Sequence, residues 1–330
     1  MNPKENLITA LKPEQPGWVP APMVDGSMTV VTHNLLEYPT GGGVDDWGVE
    51  WKQGEETAGA GLPMTHPIES PGDVESHPFP DPDKPGLMDT ALKAISVVDR
   101  DKTAVFGDNG WGLFERAWIL VGMDKFLMWM YSEPEAVEEL LQRIAKVKLR
   151  ISERLIEEVK VDGIRYGDDW GGESELIMGP ELWQKFIKPQ QARLYNICTE
   201  NHRLAMQHSD GHIEKIIPDL IEMGLDLLNP LQPECNDVQS VKQRFGGRLS
   251  FHGAVGSRIL DFGTPSEVKK EVAKRVKQLS AGGGFVLAPA HAYSYSEENT
   301  TAFREAAIEY GGIPEDWIQE TRGSRGDIEL

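Results

Sequence analysis

Residues 163–169, with the sequence Gly-Ile-Arg-Tyr-Gly-Asp-Asp, form a short run of β character that ends in two carboxylates. From about residue 100 onward, runs of this kind alternate with longer amphipathic stretches, and one similar run stands earlier in the chain. Such alternation is typical of parallel strands joined by crossover helices. The predicted strands are 18–23, 103–108, 163–169, 204–208, 225–230, 249–253 and 284–289.

Helix start signals stand between these runs. Pro134 opens a long helix to about residue 160, and Pro180 opens a second one. Thr264, followed by Pro265, is a good N-cap with proline in the first turn. Seven visible strands favour a closed α/β barrel, the (β/α)8 TIM barrel, over an open doubly wound sheet, and the eighth strand has no evident position. No glycine-rich phosphate-binding motif follows the first strand, which removes the main support for a nucleotide-binding sheet.

The whole chain, 1–330, is predicted to form a single barrel domain in three parts. Residues 1–100 hold an N-terminal strand and an irregular extension, residues 101–320 form the barrel core, and residues 321–330 are a frayed tail. Glycine-rich and proline-rich passages leave the extension little periodic structure. We expect the extension to cross or cover one mouth of the barrel.

The composition argues against several classes of protein. The formal net charge is −20 and no basic stripe is present, which disfavours nucleic-acid binding. No apolar run reaches about 18 residues, so we expect no membrane-spanning helix. The N-terminus lacks the basic-then-apolar layout of a secretory signal. The only two cysteines, Cys198 and Cys235, show no motif spacing, which suits a cytoplasmic protein without disulfides.

Polar side chains stand at or just after the ends of several predicted strands. In a parallel barrel the active site lies at the carboxyl ends of the strands, so these residues are candidates for it. A structural reading stays open for some of them, because two adjacent aspartates can cap a loop and a single histidine can merely line a cavity. His212 is expected to be structural. The candidates are Asp108, Asn109, Asp168, Asp169, Glu173, His208, Asp210, Asn229, Gln232, His252 and His291.

The segment 208–211, His-Ser-Asp-Gly, carries a directional signal. In an extended segment, residues i and i+2 point the same way, so His208 and Asp210 can address one atom. His291, after the last predicted strand, lies across the barrel mouth. Two imidazoles and a carboxylate make a plausible zinc site with an open position. The same three groups could instead perform general acid–base chemistry without a metal, and the spacing leaves both readings open.

Several motifs together resemble the uroporphyrinogen decarboxylase superfamily, over roughly residues 100–312. The resemblance implies a (β/α)8 barrel, in agreement with the strand pattern. True uroporphyrinogen decarboxylases bind a polycarboxylate tetrapyrrole without a cofactor and use an arginine-containing motif near the N-terminus. This chain has no arginine before Arg100, so that motif is absent. The motifs are 167–171, 182–189, 208–211, 226–233 and 283–291.

The corrinoid-dependent methyltransferase branch is the other possibility, including the methyltransferase components of O-demethylases. The coenzyme M type in this branch resembles the chain in its zinc-site layout, with His-x-Cys on one strand and a later Cys. His208 matches the histidine, Asp210 stands in the position of the first cysteine, and His291 falls at or beside the second. A carboxylate and an imidazole make a harder site than two thiolates, which favours oxygen groups over thiols.

The resemblance therefore implies methyl transfer from a small methoxylated substrate, an aryl methyl ether in the simplest case, to the cobalt of a corrinoid partner protein. It also implies bound zinc, and a homodimer is a further expectation. A decarboxylase acting on a less anionic acid is the alternative, and a non-catalytic barrel that binds a tetrapyrrole or corrinoid partner is the third hypothesis. The predicted catalytic residues are His208, Asp210, His291, Asp169 and Glu173; the predicted metal ligands are His208, Asp210 and His291; the predicted substrate-binding residues are Asp168, Trp47, Asn229 and His252.

Overall fold

Parallel strands joined by helices build the main sheet, as the alternating pattern predicts. The computed structural model describes residues 1–12, 14–37, 39, 41–52, 61–291 and 294–319, so the predicted tail at 321–330 lies outside the described residues. Seven strands form one curled parallel sheet, in which each strand pairs with the next one along the chain among those that follow. These strands are β1 (Met28–Val31), β5 (Ala104–Asp108), β6 (Gly163–Gly167), β7 (Leu204–His208), β8 (Leu227–Asn229), β9 (Ser250–Val255) and β10 (Phe285–Pro289). The prediction of an α/β barrel is confirmed.

The first strand differs from the prediction. Residues 18–23 are not a strand, because Pro20 and Pro22 have no N–H to donate to a neighbouring strand and Pro22 begins a short helix instead. The segment still lies beside β10, since the carbonyl of Pro20 accepts a hydrogen bond of 2.8 Å from the N–H of Leu287. The strand of this region is β1, whose four residues are too short a run to give a clear sequence signal.

Helices surround the sheet and bury their apolar faces against its outer side. The predicted helix starts at Pro134 and Pro180 are confirmed, and Thr264 forms a capping box with Glu267. The helices are α1 (Pro3–Leu11), α2 (Pro22–Asp25), α3 (Asp73–Ser76), α4 (Asp89–Ile95), α5 (Leu113–Val121), α6 (Met123–Ser132), α7 (Pro134–Arg154), α8 (Pro180–Leu182), α9 (Lys188–Glu200), α10 (Ile217–Glu222), α11 (Val238–Phe245), α12 (Ser257–Phe262), α13 (Pro265–Leu279) and α14 (Glu297–Gly311). Within the described part of the chain, no helix is long and apolar enough to cross a membrane.

Apolar side chains fill the half of the barrel lumen that lies at the amino-terminal ends of the strands. They alternate along the strands with residues that face the helices, as the pleat requires. Leu7 and Leu11 of α1 pack against this group from the amino-terminal end of the strands. We call the group the apolar plug: Leu7, Leu11, Met28, Ala104, Phe106, Met206, Leu227 and Val286. Because the plug closes the amino-terminal end, the lumen is available for chemistry at the carboxyl end.

The N-terminal extension contains a small antiparallel sheet and a buried ionic cluster. The sheet joins β2 (Gly43–Val44), β3 (Glu50–Lys52) and β4 (Leu62–Pro63). Asp45 pairs with Arg116 of α5 at 3.0 Å, and Glu37 pairs with Lys148 of α7. Glu37 also accepts a hydrogen bond of 2.7 Å from the backbone N–H of Trp111, in the loop after β5. The extension is therefore anchored to α5, to α7 and to the loop after β5, at the carboxyl end of the barrel, whereas the sequence indicates one mouth without saying which.

Candidate active site at the carboxyl end of the barrel

The lumen above the apolar plug is lined by polar side chains. Phe106 and Met206 belong to the plug, so Asp108 and His208, two residues further along their strands, face the lumen above it. The strand register places the other inward-facing residues of this level beside them. We call the level the polar layer: Asp108 of β5, Arg165 of β6, His208 of β7, Asn229 of β8 and His252 of β9.

A carboxylate–imidazole cluster stands at the rim of the polar layer. Nε2 of His208 lies 3.7 Å from Oδ1 of Asp169 and 3.9 Å from Oδ1 of Asp210. The backbone N–H of Asp210 donates to Oδ1 of Asp169 at 2.9 Å, which fixes the two loops relative to each other. Oδ1 of Asp210 is buried and has no hydrogen-bond partner among the described residues. One ligand atom from each of the three residues lies within 4.8 Å of the others.

This donor set fits a divalent cation. Two carboxylates and one imidazole are hard or borderline ligands, suited to zinc and to cations that prefer oxygen. A buried carboxylate oxygen without a partner is costly unless a cation or a donor occupies its open side. The cluster differs from the predicted metal site, because Asp169 stands in it with His208 and Asp210, and His291 lies beside it with its Nε2 against Oδ2 of Asp210.

His291 forms an ion pair with Asp210, with 2.8 Å between Nε2 and Oδ2. Burial alone would lower the pKa of His291, but the hydrogen bond and charge of Asp210 outweigh it and the pKa is raised. Burial would likewise raise the pKa of Asp210, but His291 and the neighbouring charges outweigh it and the pKa is lowered. On its other side, Nδ1 of His291 is hydrogen-bonded to Oγ of Ser257 at 2.6 Å, and the hydroxyl of Tyr295 donates to that Oγ at 3.1 Å.

Asn229 connects the rim to the deeper part of the lumen. Its Oδ1 is 2.7 Å from Nδ1 of His208, and its Nδ2 is 2.6 Å from Nδ1 of His252. His252 is almost fully buried, and burial together with the charges of Arg165 and His208 lowers its pKa to about 3. The imidazole of His252 is therefore neutral at physiological pH.

Asp168 and Asp169 are adjacent in sequence, and the structure gives them different surroundings. Asp168 is fully buried and accepts hydrogen bonds from the backbone N–H groups of Phe114 and Glu115 and from Nε1 of Trp170. It therefore caps the first turn of α5, and this position does not favour the predicted contact with substrate. Burial raises the pKa of Asp168 to about 7, against the opposing effect of these three donors.

Two further predicted residues are not members of the cluster. Trp47 is completely buried, with the guanidinium of Arg116 4.8 Å from its ring centroid, so the structure does not bring it to the lumen as a pocket wall. Glu173 is exposed on the loop after β6. Its charge contributes, after burial and Glu234, to raising the pKa of Cys235.

Sequence reasoning missed Arg165 and Ser257. Arg165 stands in the middle of β6 and pairs with Asp108 at 2.9 Å, with 15% of its side chain exposed. Its signal was the alternation in Gly-Ile-Arg-Tyr-Gly, because Gly163 and Gly167 share its face and leave room for a long inward side chain. Ser257 follows β9 and carried no signal of its own, since its role depends on the position of His291.

Comparisons with known proteins agree with this architecture. The family model for uroporphyrinogen decarboxylase (URO-D) matches residues 48–310. A uroporphyrinogen decarboxylase of Chlorobaculum tepidum is 27% identical over 227 residues, which cover 66% of this chain and 62% of that relative. One of Salmonella heidelberg is 23% identical over 260 residues, which cover 76% of this chain and 71% of that relative. Among solved structures, a methyltransferase from Methanosarcina mazei matches with a TM-score of 0.71 at 20% identity, covering 94% of this chain and 99% of that one, which shows the same fold.

Proposed function

The chain belongs to the uroporphyrinogen decarboxylase (URO-D) family, and within that family we propose that it transfers a methyl group from an oxygen-bound methyl donor to the cobalt of a corrinoid protein. The observation that carries the proposal is the cluster of two carboxylates and one imidazole around a single point at the barrel rim. A harder donor set of this kind suits an oxygen leaving group better than a thiol. Arg100 is the first arginine of the chain, which argues against recognition of a polycarboxylate tetrapyrrole from the N-terminal part.

Asp169, His208 and Asp210 would hold a divalent cation, with zinc as the first candidate. When bound, such a cation supplies Lewis acidity that stabilises negative charge developing on an oxygen. Asp210 would use its unpartnered Oδ1 toward the cation, while His291 holds Oδ2. This makes His291 a supporting residue for a ligating carboxylate, the arrangement that commonly orients ligands in metal sites.

In the transfer itself, cobalt(I) of the partner protein forms a bond to the methyl carbon while the carbon–oxygen bond breaks. The electron pair of that bond stays on the oxygen, which leaves as an alkoxide or phenolate and takes up a proton. His291 is the proton-holding group beside this position, because the hydrogen bond and charge of Asp210 raise its pKa above the usual value of a histidine. The apolar plug below the polar layer excludes water from the amino-terminal half of the lumen, which strengthens electrostatic interactions above it.

Incubation of the purified protein with a reduced corrinoid protein and a panel of methyl ethers tests the proposal. We expect the cobalt(I) absorption spectrum to convert to that of methylcobalt with at least one ether, and faster than with methylated amines or thioethers. A failure to form methylcobalt from every donor would refute methyl transfer. Preferential reaction with a thioether would instead refute the oxygen specificity. Elemental analysis of protein purified without chelators identifies the bound cation.

Decarboxylation of an acid less anionic than uroporphyrinogen is a second candidate. The relatives described above are named uroporphyrinogen decarboxylases. The guanidinium of Arg165 stands in the lumen, where it can bind the carboxylate of a substrate. Release of carbon dioxide in the absence of any cobalt partner distinguishes this activity from methyl transfer. Zinc itself, the corrinoid partner and a homodimer remain predictions.

A further inference from the structure

The side-chain amide of Asn229 lies between two imidazoles on neighbouring strands. Its Oδ1 faces Nδ1 of His208 at 2.7 Å, and its Nδ2 faces Nδ1 of His252 at 2.6 Å. The register sets this arrangement, because His208 is paired with Asn229, and Leu228 with Phe251, so that Asn229 and His252 stand side by side. Asn229 is 7% exposed and His252 is 1% exposed, so little water competes for these bonds.

An amide has one oxygen acceptor and one nitrogen donor, and this asymmetry decides where each imidazole carries its proton. Nδ1 of His208 must donate to Oδ1 of Asn229, which leaves Nε2 of a neutral His208 with a free lone pair. Nδ1 of His252 must accept from Nδ2 of Asn229, which places the proton of the neutral ring on Nε2. His208 and His252, on the strands that flank Asn229, therefore hold opposite tautomers.

The remaining ring nitrogens face different surroundings. Nε2 of His208 lies beside the carboxylates of Asp169 and Asp210, where a lone pair can join them around a cation. Nε2 of His252 is buried and has no hydrogen-bond partner among the described residues. A buried N–H without a partner costs free energy, so its presence indicates a position prepared for an acceptor.

We infer that Asn229 is a positioning residue that imposes opposite tautomers on His208 and His252, so that His208 offers a lone pair to a cation and His252 offers an N–H to an oxygen atom of the ligand in the lumen. The assignment of a cation and a substrate oxygen rests on the proposed function. The tautomers themselves do not, and they are measured without any methyl donor. The two ideas can therefore fail separately.

Long-range 1H–15N correlation spectra of the imidazoles, recorded on metal-free protein at mildly alkaline pH, report each tautomer directly. Three other histidines serve as internal references for the spectra. A backbone carbonyl can only accept a hydrogen bond, so the ring nitrogen that faces it must carry the proton. Nδ1 of His66 and of His212 faces a carbonyl, so both are Nδ1–H tautomers, and Nε2 of His77 faces a carbonyl, so it is an Nε2–H tautomer. We expect His208 to match the first two residues and His252 to match His77. The reverse pattern, which a rotated amide would produce, overturns the inference.

The variant Asn229→Asp is the matched perturbation, because it keeps the acceptor for His208 and removes the donor for His252. We expect the spectrum of His208 to remain that of an Nδ1–H ring, while His252 changes to an Nδ1–H tautomer or becomes protonated. An unchanged His252 would contradict the role of Asn229. If this variant fails to fold, the spectrum of the unmodified protein still decides the question.

Binding of Co²⁺ to the metal-free protein gives the second measurement. Asn229→Leu removes the hydrogen bond that orients His208, and we expect Co²⁺ affinity to fall roughly 10- to 100-fold, as for other residues that orient metal ligands. Asn229→Asp should retain affinity, because it still accepts from Nδ1 of His208. Equal losses in both variants would indicate a merely structural role and overturn the inference, whereas Co²⁺ binding without methyl transfer would refute only the proposed function.

Discussion

Nε2 of His291 lies 2.8 Å from Oδ2 of Asp210, while Oδ1 of the same carboxylate is buried and has no hydrogen-bond partner among the described residues. One oxygen thus contacts a histidine, and the other belongs to the cluster with His208 and Asp169. A carboxylate divided in this way is typical of metal ligands whose second oxygen is held by the protein.

Asp210→Asn is expected to abolish methyl transfer and Co²⁺ binding, because an amide has lower charge and cannot replace the carboxylate at the cation. His291→Gln should retain binding but weaken it roughly 10- to 100-fold, since it acts through Asp210. Isothermal titration with Co²⁺ measures both effects. His202→Asn is the control, because His202 is exposed in the turn before β7 with a φ of 53°, which asparagine tolerates. A stronger effect of His291→Gln than of Asp210→Asn would contradict this order.

Asp168→Ala should mainly lower the stability of the protein, whereas Asp169→Ala should mainly affect the binding of a metal ion. Loss of Asp168 leaves the N–H groups at the start of α5 and the indole of Trp170 without their acceptor, and we expect the free energy of unfolding to fall by about 2–3 kcal/mol. Loss of Asp169 should change stability less and remove Co²⁺ binding. Urea denaturation together with metal titration checks both. If Asp168→Ala folds with unchanged stability, its assignment as a helix cap is wrong.

Glu37→Gln should destabilise the protein and reduce the pH dependence of its stability. Burial alone would raise the pKa of Glu37, but the charges of Lys148 and Arg116 outweigh it and the pKa is lowered. A lowered folded-state pKa stabilises the protein above the unfolded-state pKa, and this contribution is lost as the pH falls through the folded-state value. We expect a loss of about 3–5 kcal/mol at neutral pH, because Lys148 is left buried without its partner.

Thermal denaturation at neutral and acidic pH measures this difference. Glu153→Gln is the control, because the carboxylate of Glu153 is 46% exposed in its pair with Arg150 and should contribute less than about 1 kcal/mol. If the two variants lose equal stability at neutral pH, Glu37 does not stabilise the buried cluster as described.

His252→Asn and His252→Gln form a matched pair for the donor in the lumen. Asparagine places its amide near Nδ1 and loses the donor at Nε2, while glutamine places an N–H near Nε2. With a methyl ether that supports methylcobalt formation, we expect His252→Asn to raise KM about tenfold, the equivalent of about 1.4 kcal/mol. His252→Gln should retain most of the affinity. Identical KM values for the two variants would argue against a hydrogen bond from Nε2 to the substrate.

The two free cysteines should differ in reactivity. Burial raises the pKa of Cys198 to about 12, and its Sγ lies 3.5 Å from the hydroxyl of Tyr166. Cys235 is only partly buried. Because the thiolate is the reactive form, a disulfide reagent should modify Cys235 slowly in the native protein and Cys198 only after unfolding. Mass spectrometry measures the modification of each cysteine over time. Rapid modification of Cys198 in the native state would show that the region around α9 opens readily.

Much of the fold could be predicted because it depends on local periodicity. Alternating short strands and amphipathic helices specify a parallel sheet whatever the details of packing, and the capping box at Thr264 is readable from neighbouring residues. The same reasoning placed His208 and Asp210 on one side of the chain and at the carboxyl end of a strand. It failed at β1, because four residues between a helix and a loop give no clear period.

The sequence by itself determined which faces and strand ends carry polar groups, since side-chain direction follows from the backbone pattern. Only the tertiary structure decided which of these groups meet, because distances across the lumen depend on strand register and on the paths of the loops. Asp168 and Asp169 are neighbours in the chain, yet one caps α5 and the other joins His208. In the same way, folding placed Asp169 in the cluster with His208 and Asp210, and placed His291 behind Asp210 as its partner.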